Sequence, residues 1–340
     1  MNYPAVIRLL HKGLSDERNG SLAAPLSAED LAASALSPSE NFDHSNWTLC
    51  EEGGLSWLER SVPGLPAPVY MTGAASSSLD VANVLHQHGL FPEWASVLCL
   101  SQSAGRGQMR RAWASPEGNV YAALRLPNEG PFATFAAAPA IGGLAAEALH
   151  EEGFPMLLKW PNDLLQPGEG MVPGLLPLRD ECRKVGGILL EERRGALIAG
   201  IGLNLSSAPA PSTLRDNYVF SAGVLEREST SLQNGIGEKK TNKSSMSEMI
   251  FPLWKRLVER IFSCYAYSSD PASWWPALAE KHLAFRGCRV SLADACPEDD
   301  TMARVPCEGT VDGVTPSGAL RLRTEFGMES YLGGSLLPRQ

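Results

Sequence analysis

The pattern of apolar and polar positions becomes regular after about residue 70. Ser78 and the following LDVANVLHQHG predict a helix with Ser78 as its N-cap, Asp80 in its first turn and Gly89 as its stop. The apolar runs at 95–102 and 119–126 predict two buried strands. A polar loop that contains glycine and arginine joins them.

The middle of the chain continues with helices and short strands. A helix is predicted at 134–150, although Pro139, Gly142 and Gly143 interrupt its pattern. Another is predicted at 247–263, where apolar residues recur every four positions and form one face. Further short strands are predicted at 155–160, 185–192 and 196–205.

The last part of the chain has a different pattern. From about residue 285 short apolar runs alternate with turn signals such as Asp312-Gly313 and Ser317-Gly318. This alternation is expected of a small all-β barrel.

The first 70 residues are rich in Ala, Ser, Pro and Gly. Within them we expect a helix at 4–12 and another that begins near Ser27. Residues 1–75 contain four basic side chains against nine acidic ones. A segment with this negative charge is poorly suited to binding DNA, whose phosphates attract clustered Lys and Arg.

The composition narrows the class of protein. The chain has 340 residues, 44% of them apolar and 20% charged, which is typical of a soluble globular protein. No apolar run approaches the roughly 20 residues that span a bilayer. The first residues lack the long apolar core of a secretory signal. We therefore expect a cytoplasmic protein that does not enter a membrane.

Charge and cysteine usage exclude further classes. The net charge of −9 argues against a general role in binding polyanions. The seven cysteines are odd in number and contain no C-x-x-C pair, so they indicate neither a zinc site nor a complete disulfide framework. Reduced thiols in a reducing compartment fit best.

Four segments carry candidate chemistry. The loop Gly105–Trp113 combines glycines, which let the backbone approach a ligand, with arginines that can face anionic oxygens. It is equally consistent with a solvated basic loop. It is not a dinucleotide-binding G-x-G-x-x-G, because the third glycine is missing and a strand follows, and it is not a P-loop.

Each of the other three segments is ordinary when taken alone. Asn162 and Asp163 follow a strand that breaks at Pro161, where their oxygens could hold Mg²⁺ or a ribose and phosphate, but Pro-Asn-Asp is also common turn chemistry. Lys184 precedes an apolar strand and could offset negative charge on a phosphate, although surface lysines are far commoner in such places. The strand at 199–205 is glycine-rich, which indicates a close approach of ligand or backbone.

The ordered set of motifs is more specific than any one of them. Within about 130 residues the chain carries S-S-S-L-D, Q-S-A-G-R-G, W-A-S-P-E-G-N-V-Y, K-W-P-N-D, K-V-G-G-I-L-L-E and G-I-G-L-N-L. Together they resemble the biotin–protein ligase family. The resemblance covers residues 70–340, including a final G-T-V-D-G-V…G-A-L-R-L, and leaves out the first 70.

The resemblance implies an α+β fold. A mixed-sheet catalytic domain of the biotin/lipoate ligase type, with helices packed on it, would occupy residues 71–275. A small C-terminal SH3-like β-barrel would occupy 283–340. Residues 1–70 would be an N-terminal segment of unknown role, which could be a degenerate winged-helix-like unit that does not bind DNA.

The resemblance also implies roles for individual residues. Lys184 and Arg106 would be catalytic, because their cations would offset the repulsion between a carboxylate and the α-phosphate of ATP. Asn162 could also hold Mg²⁺ through the ATP phosphates. Biotin would be bound by Ser77, Ser78, Gln102, Gly105, Arg106, Gly107, Lys184 and Gly187. ATP would be bound by Arg111, Trp113, Asn162, Lys184 and Asn204.

Three positions depart from the family pattern. Gln108 replaces an arginine common after G-R-G, and Arg110 replaces a glycine, so the basic charge is displaced along the loop. Leu79 replaces the asparagine common after the paired hydroxyls. These changes bear on the contacts of residues 108–110 and on one biotin contact.

The implied activity is formation of biotinyl-5′-AMP from biotin and ATP with Mg²⁺. Transfer of biotin to a lysine of a carboxylase's biotin carboxyl carrier domain would follow. A lipoate-type acyl–protein ligase, a biotin-sensing transcriptional repressor and a non-catalytic binding module are the alternatives. We expect no DNA partner, and the sequence leaves open whether the protein forms a homodimer.

Overall fold

The computed structural model describes residues 3–16, 20–26, 47–108, 111–168, 182–209, 220–227, 250–267, 274–299 and 305–338. The first strands are β1 (Val6–Leu10), β2 (Leu14–Asp16), β3 (Gly20–Ala23), β4 (Thr48–Glu52), β5 (Leu55–Ser61), β6 (Val69–Ala75), β7 (Ser96–Gln102) and β8 (Val120–Leu126). The next are β9 (Leu157–Lys159), β10 (Asp163–Pro167), β11 (Cys182–Arg193), β12 (Ala196–Leu203) and β13 (Ser221–Ala222). The last are β14 (Arg289–Pro297), β15 (Val305–Val314), β16 (Leu320–Thr324) and β17 (Gly327–Pro338). The helices are α1 (Ser78–Gln87), α2 (Ala137–Glu151), α3 (Ile250–Ala266) and α4 (Trp274–Lys281), with a 3-10 helix at Gly130–Ala133.

Strands β1 to β13 form one mixed sheet. Its main order is β4-β5-β1-β6-β7-β8-β12-β11-β10-β9. Strand β6 is parallel to both β1 and β7, whereas β8, β12, β11, β10 and β9 pair antiparallel. Helix α1 packs on β7, β8 and β12, and α2 packs against α3 and α4. The predicted α+β class with a mixed sheet is therefore confirmed.

Most of the predicted central elements are confirmed, with one correction at α1. Its N-cap is Ser77, not Ser78, because the Ser77 Oγ accepts the hydrogen bond from the Leu79 N–H. In α2, Pro139 lies in the first turn, where a missing N–H costs little. Gly142 and Gly143 then let Leu158 and Ala279 approach the helix closely.

The N-terminal segment was predicted wrongly. Residues 4–12 do not form a helix, because Val6–Leu10 is a strand that pairs with β5 on one side and β6 on the other. An apolar run this short cannot distinguish a buried strand from a helix by periodicity. The helix expected near Ser27 lies outside the described residues.

Strands from both sides of residue 70 thus share one sheet, and the described part of residues 1–70 contains strands and no α-helix. The Arg8 side chain on β1 links β4, β5 and β6 by polar contacts. Its Nε lies 2.7 Å from the Glu59 carboxylate, and its Nη1 lies 3.0 Å from that of Glu52 and 3.1 Å from the Tyr70 hydroxyl. The division of the chain at residue 70 stays a prediction.

Strands β14 to β17 pair in a closed four-stranded barrel. The predicted turn at Asp312-Gly313 is wrong, because the pair lies inside β15 at a register shift next to Val311. Such a bulge bends a strand without ending it. Ser317-Gly318 does lie between two strands, and Gly318 has a φ of +95° that favours glycine.

The barrel contacts the mixed-sheet unit at α4 and after β9. The Glu280 carboxylate accepts a hydrogen bond from the Val314 N–H at 3.1 Å and pairs with Arg286 at 3.2 Å. The Trp160 Nε1 donates to the Gly318 carbonyl at 2.9 Å. Trp160 is the second residue of the K-W-P-N-D motif, so the barrel contacts a candidate site motif directly. In the ranges described, no helix is both long and apolar enough to cross a membrane.

We expect Leu9→Ala to lower the free energy of unfolding by about 2–5 kcal/mol, because Leu9 is fully buried in β1 and its loss leaves a cavity. Urea denaturation followed by circular dichroism would measure this. Leu49→Ala in β4 is the control, since Leu49 is 54% exposed and its removal should change stability by less than about 0.5 kcal/mol. Equal effects of the two variants would show that β1 is not part of the core.

Candidate functional site

A glycine surface on β11 and β12 forms the floor of the candidate site. The antiparallel register places Gly187 opposite Gly202. A Cβ atom at Gly202 would lie 2.9 Å from the Trp113 Nε1, and one at Gly187 would lie 3.6 Å from the same indole. The Trp113 ring therefore lies directly on this surface. Larger residues at these positions would displace it.

The loop that carries Trp113 folds back on itself. The Trp113 N–H donates to the Gly105 carbonyl at 2.9 Å, and the Gly107 N–H donates to the Arg111 carbonyl at 2.7 Å. A Cβ atom at Gly105 would lie 2.5 Å from the Trp113 carbonyl oxygen, so this close approach requires glycine. Arg110, where the family pattern is broken, lies outside the described residues.

Gln102 links this loop to the start of α1. Its Oε1 accepts from the Ser78 N–H at 2.8 Å, and its Nε2 donates to the Ser115 Oγ at 2.9 Å. The Ser115 Oγ in turn donates to the Trp113 carbonyl at 3.0 Å. Ser77, the N-cap of α1, is buried beside this network. Ser77, Ser78 and Gln102, three of the residues predicted to bind biotin, therefore lie together.

Leu79 also has a definite place. A Cβ atom at Gly200 would lie 3.0 Å from the Leu79 side chain, so this leucine packs on the glycine-rich strand β12. Leu79 is buried. The leucine that replaces the family's asparagine thus adds apolar contact between α1 and β12.

Arg106 is held by two carboxylates. Its guanidinium donates to both oxygens of Asp80, at 2.8 and 3.0 Å, and its Nε lies 3.3 Å from the Glu191 carboxylate. The hydrogen bond to Asp80 is the main reason that the pKa of Arg106 is raised. These contacts join the loop to α1 and to β11. None of the described contacts joins Arg106 to Lys184, and the prediction that both face one phosphate stays a prediction.

Lys184 belongs to a cluster of two lysines and one aspartate. Its Nζ forms an ion pair with Asp163 Oδ1, while Lys159 Nζ lies 3.1 Å from Asp163 Oδ2. The Asp163 side chain is 17% exposed and that of Lys159 is 11% exposed. Burial raises the pKa of Asp163, but the two lysines outweigh it and lower the pKa to about 2. The Lys184 ammonium also lies 5.5 Å from the centre of the Trp113 ring.

Strand pairing assembles this cluster. Asp163 lies opposite Lys159 in the β9–β10 pair and opposite Gly187 in the β10–β11 pair. A register shift after Leu164 then places Lys184 opposite the next residue of β10. From the sequence, Asp163 was expected only as a possible oxygen ligand of Mg²⁺ or of a ribose and phosphate, and its ion pair with Lys159 was missed. The K-W-P-N-D spacing carried a signal, because a tight antiparallel hairpin brings its first and last residues together.

Asn162 and Asn204 are buried and bind backbone. The Asn162 Nδ2 donates to the Ile188 carbonyl at 2.7 Å, and the Asn204 Nδ2 donates to the Gly223 carbonyl at 3.0 Å. Both side chains fix strands and loops around the site. Arg111 is exposed. The ATP contacts predicted for these three residues stay predictions.

Magnesium was expected near Asn162 and Asp163, at Asn162 through the ATP phosphates. In the described part of the chain no group of three His, Cys, Asp or Glu side chains could hold a metal ion. The Asp163 oxygens contact lysines. These residues do not fit a site in which protein carboxylates hold Mg²⁺.

Asn119 also supports the site, although the sequence did not predict it. Its Oδ1 accepts the backbone N–H groups of Leu205, Ser206 and Ser207 at 2.8, 2.9 and 3.2 Å. Its Nδ2 donates to the Tyr121 hydroxyl at 3.0 Å. The buried side chain fixes the loop after β12, next to the glycine surface. Nothing in the local sequence indicates this long-range role.

The segment that contains these residues is similar to a known protein family. A model of the biotin/lipoate A/B protein ligase family matches residues 78–206. The matched segment includes the glycine surface, the Gly105–Trp113 loop and the lysine–aspartate cluster.

Individual relatives agree with this family. The bifunctional ligase/repressor BirA of Bacillus subtilis is 33% identical over 153 residues, which is 44% of this chain and 41% of the relative. The chain thus spans less than half the length of that relative. A biotin–[acetyl-CoA-carboxylase] ligase of Paracoccus denitrificans is 28% identical over 69% of this chain and 86% of the relative.

A solved structure supports the fold of the ligase family. The biotin protein ligase of Aquifex aeolicus, in complex with biotin and ATP, superposes with a TM-score of 0.56 at 20% identity. The superposition covers 80% of this chain and 98% of the Aquifex aeolicus chain.

We expect the stability contributed by Asp163 to depend on pH. Its pKa is lowered from 3.8 to about 2 in the folded chain, so this contribution is present above pH 4 and is lost as the pH falls through 2. Asp163→Asn should cost about 2 kcal/mol of unfolding free energy near neutral pH, and this difference from wild type should shrink between pH 4 and pH 2.

Urea denaturation at a series of pH values measures the difference. Asp294→Asn is the control, because Asp294 is exposed in the barrel and its φ of +51° is one that asparagine tolerates. A difference for Asp163→Asn that stays constant down to pH 2 would contradict the ion-pair geometry.

Proposed function

We propose that the protein is an ATP-dependent biotin–protein ligase, which forms biotinyl-5′-AMP and transfers biotin to a lysine of a carboxylase carrier domain. The observation that carries this proposal is the Lys184 ammonium beside the Gly187–Gly202 surface, under a G-R-G loop. Support also comes from the family match over residues 78–206 and from relatives named as biotin ligases.

Charge is the main obstacle in the first step. The biotin carboxylate must attack the α-phosphorus of ATP, so two anions have to approach each other. The ammonium of Lys184 lies where it can offset their repulsion, and the partly buried site strengthens that interaction. Pyrophosphate leaves, and the carboxylate becomes a mixed anhydride with AMP as its leaving group.

Recognition of biotin is assigned to the network at the start of α1. Ser77, Ser78 and Gln102 present hydroxyl and amide groups at one place, which suits the polar ureido ring. The ring system and alkyl tail would lie on the glycine surface. Since Trp113 covers that surface here, its indole must shift when the substrate enters.

The loop has a second role in the proposed reaction. Arg106 bridges Asp80 on α1 and Glu191 on β11, so it can hold the loop down over the substrate. A closed loop excludes water, which would hydrolyse the mixed anhydride before the acceptor lysine attacks it. In this role Arg106 positions the loop. To make its predicted contact with the phosphate, the Arg106 guanidinium would have to break its ion pair with Asp80 or with Glu191.

The remaining assignments follow from the same proposal. Mg²⁺ would arrive bound to the ATP phosphates and help neutralise their charge. Arg111, Trp113, Asn162 and Asn204 would lie on the ATP side. The catalytic domain would span 71–275, and the C-terminal barrel, of SH3-like type, would span 283–340. We assign the activity to the cytoplasm, without a DNA partner.

The decisive experiment incubates the protein with ATP, Mg²⁺, a carrier domain and either biotin or lipoate. We expect a mass gain on the carrier equal to one biotinyl group and none with lipoate. A mass gain of the carrier with lipoate alone would show that the protein is instead a lipoate-type acyl–protein ligase. Tight biotin binding with no release of AMP would instead indicate a non-catalytic binding module.

We expect Lys184→Ala to slow biotin-dependent ATP–pyrophosphate exchange by about a hundredfold or more, because one cation facing the developing charge is removed. Lys12→Ala is the matched control, since Lys12 is 71% exposed and pairs with Glu51 far along the sheet. Exchange by Lys184→Ala within threefold of wild type would remove Lys184 from the reaction.

A further inference from the structure

Lys159 is a second lysine in the candidate site and is more deeply buried than Lys184, and the reaction proposed above gives it no role. Its side chain is 11% exposed, and its ammonium lies 3.1 Å from Asp163 Oδ2 and 5.8 Å from the centre of the Phe220 ring. Lys184 uses the other oxygen of the same carboxylate. One aspartate is thus shared by two lysines.

The sharing sets the charge of the cluster. Two ammonium groups and one carboxylate carry a net charge of +1, so the cluster can attract an anion even while every member is paired. With one lysine the same aspartate would form a neutral pair. The second lysine therefore determines whether the site is cationic.

The sharing of Asp163 by two lysines also determines the cost of moving Lys184 from Asp163 to a bound substrate. If Lys184 were the only partner of Asp163, the departure of Lys184 would leave a partly buried carboxylate unpaired. Loss of the partner of a buried charge is strongly unfavourable. Lys159 remains on the Oδ2 atom and keeps Asp163 neutralised. Lys184 is then free to move at much lower cost.

We propose that Lys159 is a positioning residue that neutralises Asp163 and so releases the Lys184 ammonium to bind the phosphate anion of the substrate. This role deepens the proposed ligase function, on which the identity of that substrate rests. Lys159 acts through Asp163, and its effect is one of charge.

A pair of variants separates charge from structure. Lys159→Met keeps the length of the side chain and reduces the cluster to zero net charge. The double variant Lys159→Met/Asp163→Asn restores the net charge of +1 although it lacks both native side chains. A purely structural role predicts that the double variant is at least as damaged as the single one, whereas the charge role predicts rescue.

The first measurement is titration calorimetry of the full chain with inorganic pyrophosphate, which requires neither biotin nor turnover. We expect Lys159→Met to weaken pyrophosphate binding at least tenfold. The double variant and Lys159→Arg should bind within threefold of wild type. Lys255→Met is the control, because Lys255 pairs with Glu259 at the same i, i+4 spacing on α3 and its loss should change binding less than twofold.

Biotin-dependent ATP–pyrophosphate exchange is the second measurement and should follow the same order. Wild-type exchange tests the proposed function, while the calorimetry tests the role of Lys159 separately. Equal binding by wild type and Lys159→Met, a double variant as weak as the single one, or no pyrophosphate binding by wild type would each overturn the role of Lys159. Thermal unfolding of each variant identifies any that fails to fold, in which case Lys159→Arg against wild type decides.

Discussion

A partly buried carboxylate between two ammonium groups is the constraint on which the candidate site depends. Asp163 can stay ionised in its partly buried position because Lys159 and Lys184 each take one of its oxygens. The arrangement fixes the K-W-P-N-D turn to β11, so the same contact that stabilises the hairpin also places a cation at the glycine surface. Stability and reactivity are therefore coupled here, since any anion that attracts Lys184 draws on the ion pair that holds the strands.

The glycines of β11 and β12 matter for a different physical reason. A flat, side-chain-free patch in the middle of a sheet gives up packing energy, and glycine in a strand weakens it. In this chain Trp113 regains part of that packing by lying on Gly187 and Gly202. The patch is thus covered by a residue of a loop and not by a residue of the sheet, which suits the proposed binding of a ligand there.

The sequence motifs predicted which residues lie together more accurately than the apolar pattern predicted the first strands. The motifs around Gln102, Trp113 and Lys184 mark residues that the fold brings together, because their chemistry is local and distinctive. Strand β1 was missed because a five-residue apolar run fits either a helix or a strand. The partners of Asp163 and Arg106 depend on strand register and on a bulge, and no local pattern reveals those.

The stability of the loop over the site depends on several favourable polar contacts and on one buried N–H group without a partner. Arg106 gains two carboxylates, and the Ser115 hydroxyl binds the Trp113 carbonyl, so several polar contacts favour the folded-down loop. Against them, the buried Trp113 Nε1 finds no hydrogen-bond partner among the described residues, and an unpaired buried N–H costs about 1–3 kcal/mol. Lifting the indole would return that N–H to water and expose the glycine surface. The unpaired N–H therefore lowers the free-energy cost of lifting the loop. A ligand that replaces the indole on Gly187 and Gly202 then has to offset only the remaining cost of breaking the polar contacts of the loop.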